Sequence, residues 1–86
     1  MSQSVAVGQS VTCEYRGAHV GIVLAVDDPR VWSGSVAFPE MALPEAIAVV
    51  AHVAWCRRQG LLRDSVPVLW GFGSILWDRR DSLHPA

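Results

Sequence analysis

The sequence predicts an α+β domain in which short antiparallel strands flank a single helix, in the order βββαββ. Three observations predict it. Residues 10–26 hold two strand-like runs separated by a glycine-containing turn. Residues 45–59 form a stretch free of Gly and Pro with helical character. Residues 66–77 return to short apolar alternation around Gly71-Phe72-Gly73.

In the first run, Val11, Cys13 and Tyr15 alternate with Ser10, Thr12, Glu14 and Arg16, the period of a half-buried strand. Arg16-Gly17-Ala18-His19 is the expected turn, with Gly17 free to take a positive φ. Residues 20–26, VGIVLAV, are apolar on both faces and suit a central strand. Asp27-Asp28-Pro29 ends it, because aspartate favours turn hydrogen bonds and proline donates none to a sheet. Val31 to Phe38, VWSGSVAF, reads as a third strand bent at Gly34.

The period then changes. Pro44-Glu45 suits a helix start, Arg57-Arg58 suit its negative end and Gly60 its stop, so a helix is expected over about 44–59. Ile47, Val50, Ala51 and Ala54, widened by Val49 and Val53, form the expected core face. Glu45, Ala48, His52, Trp55 and Gln59 fall opposite. Val66, Val68, Trp70 and Phe72 alternate as a fourth strand, and Ile75 to Trp77 make a fifth. Asp78 to Pro85 form a charged tail with room for one 3₁₀ turn. No repeat or linker divides the chain, so 1–86 is read as a single domain.

VAVGQSVTCEYRGAHVGIVLAVDDP resembles the opening of small SH3-like barrels, where a V-G-x-x-V strand turns through glycine into a G-x-V strand. VPVLWGFGSILWDRRDSL is similar to their closing hairpin, a strand, a Gly-containing turn and a Trp-bearing strand before a final S-L. The two stretches cover about half the chain. The resemblance implies a small antiparallel five-stranded SH3-like barrel or curled sheet, with one inserted α-helix where such barrels have a short connection. Closing a small sheet also removes its exposed edges. The resemblance implies binding of peptides, nucleic acids or other subunits and no defined activity.

Composition narrows the function further. Hydrophobic residues make up 51% of the 86 and charged residues 17%, with four Trp. A domain this size buries only roughly 60–65% of its unfolded surface, so some of that apolar sequence is expected at an interface. Seven Arg, no Lys and eight acids give a net charge of −1. That balance disfavours a duplex-DNA binder, which gathers a basic excess on one face. Two cysteines make no disulfide framework. The opening MSQSVAVGQS is polar and small, unlike a secretory leader, and the apolar block Ile47 to Cys56 is too short to span a bilayer. The chain reads as cytoplasmic with reduced thiols and no membrane partner.

Chemical constellations are sparse. Trp70-Gly71-Phe72-Gly73 lacks the third glycine and the following helix of a phosphate-binding loop, and reads as a hairpin. His52 and Cys56 share a helix face at i,i+4, but no second ligand pair accompanies them, so no metal is expected. Cys56 with His52, or Cys13 with His19, names a nucleophile and a base, but neither pair sits in a known elbow or loop motif. Asp27-Asp28 and Asp78 with Asp81 read as turn and surface charges. No catalytic residue and no cofactor is expected.

What remains is aromatic and arginine content, the residue types that dominate interface energetics. Trp32, Trp55, Trp70 and Phe72 with Arg57 and Arg58 are the candidate binding residues. Trp55 falls toward the polar side of the helix, where it either docks a partner or covers the open end of the barrel. The expected function is a small non-enzymatic interaction or accessory module that binds a protein partner or self-associates as a homo-oligomer. By analogy of size it would suit a bacterium or a mobile element. Two alternatives stand beside it: single-stranded nucleic-acid binding by stacking on Trp32, Trp70 or Phe72, and a small-molecule pocket between helix and sheet with His52 or Tyr15 as polar handle.

Overall fold

A computed structural model describes residues 5–86 of the chain. The first four residues of the opening segment, read above as polar and unlike a leader, lie outside that range. The elements run β1 (Ser10–Thr12), β2 (Gly21–Val23), α1 (Gly34–Ala37), α2 (Leu43–Arg58), β3 (Ser65–Trp70), β4 (Ile75–Arg79) and β5 (His84–Pro85). The 3₁₀ turns Glu14–Arg16, Pro29–Trp32 and Arg80–Ser82 fill the connections. The class is α+β, built on one five-stranded antiparallel sheet of order β4-β3-β2-β1-β5. Among the described residues no helix is long and apolar enough to cross a membrane.

Alternation along the strands gives the sheet two apolar faces. Val66, Val68 and Trp70 of β3 point to one side with Val11, Val23, Cys13 and Leu83, which Leu76 covers in part. Leu69 and Ile75 pair across β3 and β4 and point to the other side, with Leu24, Val31, Ala37, Trp32, Phe38 and Trp77. Burying side chains of this size stabilises the fold by about 1.5–3 kcal/mol each. The second face is the one that the segment between β2 and β3 covers.

Two expectations fail outright here and one in part. The first strand stops at Thr12, and Glu14–Arg16, read as its continuation, form a 3₁₀ turn that leaves Tyr15 exposed. Val31 to Phe38 is not a third strand but the end of one 3₁₀ turn followed by α1. The Asp28 side chain accepts from the Arg30 backbone N–H at 2.9 Å, and Pro29 occupies the first helical position, so the segment opens as a helical turn. The Trp32 indole then donates to the Val26 carbonyl at 2.7 Å, holding the chain folded back. The order is therefore not βββαββ: both helices lie between the second and third strands, and the fifth strand is the two-residue β5 after the 3₁₀ turn of the tail.

The partial failure concerns the inner side of α2, where Val49, Val50, Val53 and Ala54 are half-buried as expected but two other residues are not. The helix itself forms as expected, stopping at Gly60 and closed by a hydrogen bond from the Leu61 N–H to the Cys56 carbonyl at 3.0 Å. Yet Ile47 and Ala51, expected inward, are exposed, and Ala46 is the sole fully buried residue of its sixteen. The contact that decides this is Gly34. A Cβ there would sit 3.1 Å from the Ala46 carbonyl carbon and the Ile47 amide nitrogen, so glycine lets α1 approach the backbone of α2 more closely than a side chain would without a shift. That approach turns Ala46, Val49, Val50 and Val53 toward the body. It wins because α2 is apolar around most of its girth, leaving periodicity little to specify.

Candidate docking surface

The helix α2 packs chiefly against α1, and against no strand to a comparable extent. Its outward face therefore stands clear of the domain. Leu43 is 54% exposed, Ile47 55% and Trp55 47%. At about 100° per residue these three share a side with Ala48, Ala51 and Ala54. Arg58 is the one charged residue near the middle of that side. Met41 and Leu61, both exposed, continue the apolar strip just beyond the two helix ends. A helix apolar all round is ordinarily found inside a structure, and this one lies on the outside.

Trp55 stacks on His52 of the preceding turn, with ring centroids 6.0 Å apart and planes 15° apart. It points outward and does not cover the sheet. The His52 Nε2 lies 3.5 Å from the Cys56 Sγ on the exposed helix. Among the described residues no third histidine, cysteine or carboxylate joins them in a group able to hold a metal ion.

The two ends of α2 differ in charge. At the N-terminal end, Phe38, Glu40, Met41, Glu45 and Ser74 line a shallow cleft of about 360 Å³. At the C-terminal end, Trp32, Ala54, Arg57 and Arg58 line another of about 320 Å³. Trp32 is fixed there by its indole hydrogen bond and by Trp77, 6.0 Å away and tilted 53°. Among the described residues the ion pairs are Arg16–Asp78, Arg30–Asp28 and Arg79–Asp81, so Arg57 and Arg58 face solvent without a carboxylate partner. Neither cleft contains Tyr15 or His52, the polar handles expected for a helix–sheet pocket.

The structure thus brings together Trp32, Arg57 and Arg58, and places Trp55 on the same helix. Trp70 and Phe72 lie elsewhere. Trp70, a candidate binding residue whose burial the sequence left open, is 1% exposed and belongs to the core, on the side to which Val66 and Val68 point. Its Nε1 donates to the buried Asp78 carboxylate at 2.9 Å, and Arg16 donates to the same carboxylate at 2.7 Å. Asp78, read above as a surface charge, is the fully bonded centre of that network. Phe72 is 39% exposed in the β3–β4 turn, stacked beside Trp70 at 6.5 Å and edge-on to His19 at 4.9 Å. The turn is a hairpin in which Gly73, at φ 98°, supplies the left-handed residue.

Ile47 and Ala51 are the surface residues that periodicity assigned to the core, and Leu43 was assigned to neither side. The signal that identifies them is the near absence of a polar face on α2. Compared with protein-family models, curated proteins and solved structures, the chain matches none.

Proposed function

We propose that this chain is a small non-enzymatic interaction module, an SH3-like barrel that presents α2 as a docking element and self-associates through it. The observation that carries the reading is the exposure of Leu43, Ile47 and Trp55 along one side of a helix that has a single buried residue. Three large half-exposed side chains in one stripe, with alanines between them, leave roughly half of the 1.5–3 kcal/mol of full burial to be gained by each against a partner. The barrel reading is supported by β5, which pairs with β1 and brings the chain end back beside its beginning, with β4 and β5 as the two edges of the sheet. A structural role for Asp78 supports the non-enzymatic part: the buried carboxylate spends its acceptors on Trp70 and Arg16.

Thermal unfolding across protein concentration tests this. A folded state that self-associates melts at a temperature that rises with concentration. The expected result is a Tm that climbs by several degrees between about 10 μM and 1 mM, and an Ile47→Asp variant whose Tm stays flat. A flat wild-type Tm overturns self-association.

A further inference from the structure

We infer that the outward face of α2 takes the same face of a second copy of this chain, with the two helices antiparallel about a two-fold axis at Ala51. The inference rests on the self-association proposed above and adds its geometry. Three features of the helix fit that occupant.

The first is size matching. With Ala51 facing Ala51 of the second copy, helical spacing sets Trp55 against the partner copy's Ala48 and Ile47 against its Ala54. Trp55 and Ile47 then each meet an alanine, Leu43 falls beside the second copy's Arg58 and Gln59, and the alanine at the axis allows close approach. In a parallel pair the large residues would meet each other. The arrangement is isologous and closes at two copies.

The second is charge. The N-terminal end carries Glu40 and Glu45, and the C-terminal end carries Arg57 and Arg58 without carboxylate partners among the described residues. An antiparallel pair lays each acidic end beside a basic end, and the two helix dipoles oppose in the favourable sense. A parallel pair, or a partner of uniform charge, matches one end and repels the other.

The third is extent. Sixteen residues rise about 24 Å. Met41 and Leu61, exposed beyond opposite ends, meet across the pair and lengthen the contact. The outward face points away from α1 and the sheet, so the bodies of the two copies lie on opposite sides. A stable interface takes about 800 Å² per partner. A helix pair with short flanks sits at the small end of that range, so the dimer forms in a concentration-dependent way.

Charge reversal tests the arrangement. One variant carries Glu40→Arg and Glu45→Arg, the other Arg57→Glu and Arg58→Glu, each checked for helix content by circular dichroism. Light scattering at matched concentration reads the mass. The expected result is dimeric wild type, each variant weakened about tenfold or more in dimerisation, and recovery on mixing, since the mixed pair restores both unlike contacts. Variants that dimerise as wild type does, or a mixture that stays weak, overturn the antiparallel pair and leave self-association standing. A wild type that remains at 9.4 kDa at every concentration overturns both. Should reversal unfold α2, cross-linking through Ala51→Cys decides the same question.

Discussion

The indole Nε1 of Trp70 and the carboxylate of Asp78 meet at 2.9 Å inside the domain, eight residues apart across the β3–β4 hairpin. Arg16 closes the network from the connection between β1 and β2. A near-buried carboxylate is tolerable because both its oxygens are bonded. The pair therefore locks the hairpin that the Trp70-Gly71-Phe72-Gly73 motif begins, and makes Trp70 a structural residue.

Replacing Trp70 with Phe keeps most of the apolar volume and removes the donor. Leaving a charged group short of a hydrogen bond costs about 1.5–3 kcal/mol. The expected result is a urea midpoint lowered accordingly with the slope unchanged. Phe72→Ala, at a half-exposed turn position, is expected to cost much less.

Gly34 sets which side of α2 is free. A methyl group there meets the backbone at Ala46 and Ile47, which does not yield as a side-chain tip does. Gly34→Ala is expected to destabilise by about 1–3 kcal/mol, the usual range for overpacking. It should also raise amide exchange in the first turns of α2 before the strands are affected. Equal exchange in helix and sheet would contradict the role given to this contact.

The turn that replaces the expected third strand has a pH signature. The Arg30 guanidinium, hydrogen-bonded to Asp28, holds that carboxyl below the ordinary carboxylate range, and the Arg30 backbone N–H adds to the effect. A lowered folded pKa means that the contribution is present above the unfolded value and is lost as pH falls through the folded value. The carboxyl carbon of Asp28 is expected to titrate by NMR below the usual midpoint of about 3.9. Arg30→Ala should move that midpoint upward. An unmoved midpoint would contradict the pairing.

How much of this was legible in the sequence varies with how many forces agree at each residue. Along β3, alternation, β-branched residues and a flanking glycine turn point the same way, so Val66, Val68 and Trp70 read correctly as one face. The helix was legible from its termini, Pro44 and Gly60. Its orientation was legible in part: Val49, Val50 and Val53 are half-buried as expected, while Ile47 and Ala51, no more polar, are left outside by the approach at Gly34. Val31 to Phe38 misled because valines and Trp32 suggest a strand, while the local capping by Asp28 and Pro29 outweighs that propensity. Strand β5 is two residues ending in proline, tolerable only at a sheet edge, and carries no period to detect. Of the candidate binding residues, Trp55 and the Trp32, Arg57 and Arg58 group lie at the surface. Trp70 lies in the core, which the sequence left open because an aromatic in a strand looks the same whether its neighbours bury it or not.

Tryptophan fluorescence gives a local view of the docking face. Trp55 is the one tryptophan largely open to solvent, at 47% exposed against 1% for Trp70. In dilute protein acrylamide is expected to quench a Trp55 component that Trp55→Phe removes. At high concentration that component should become protected, and quenching unaffected by concentration would contradict burial of this residue.

Disulfide trapping at the proposed axis tests the central claim most directly. Ala51→Cys is introduced with Cys56→Ser, leaving Cys13, which is 2% exposed, in place. Ser35→Cys on exposed α1 serves as the control. Two cysteines at a two-fold helix crossing fall within the 4.4–6.8 Å Cα separation that a disulfide spans. The expected result is rapid, near-complete covalent dimer for Ala51→Cys under mild oxidant, slowed when Ile47→Asp is added. Cross-linking at Ala51 no faster than at Ser35 would contradict the account.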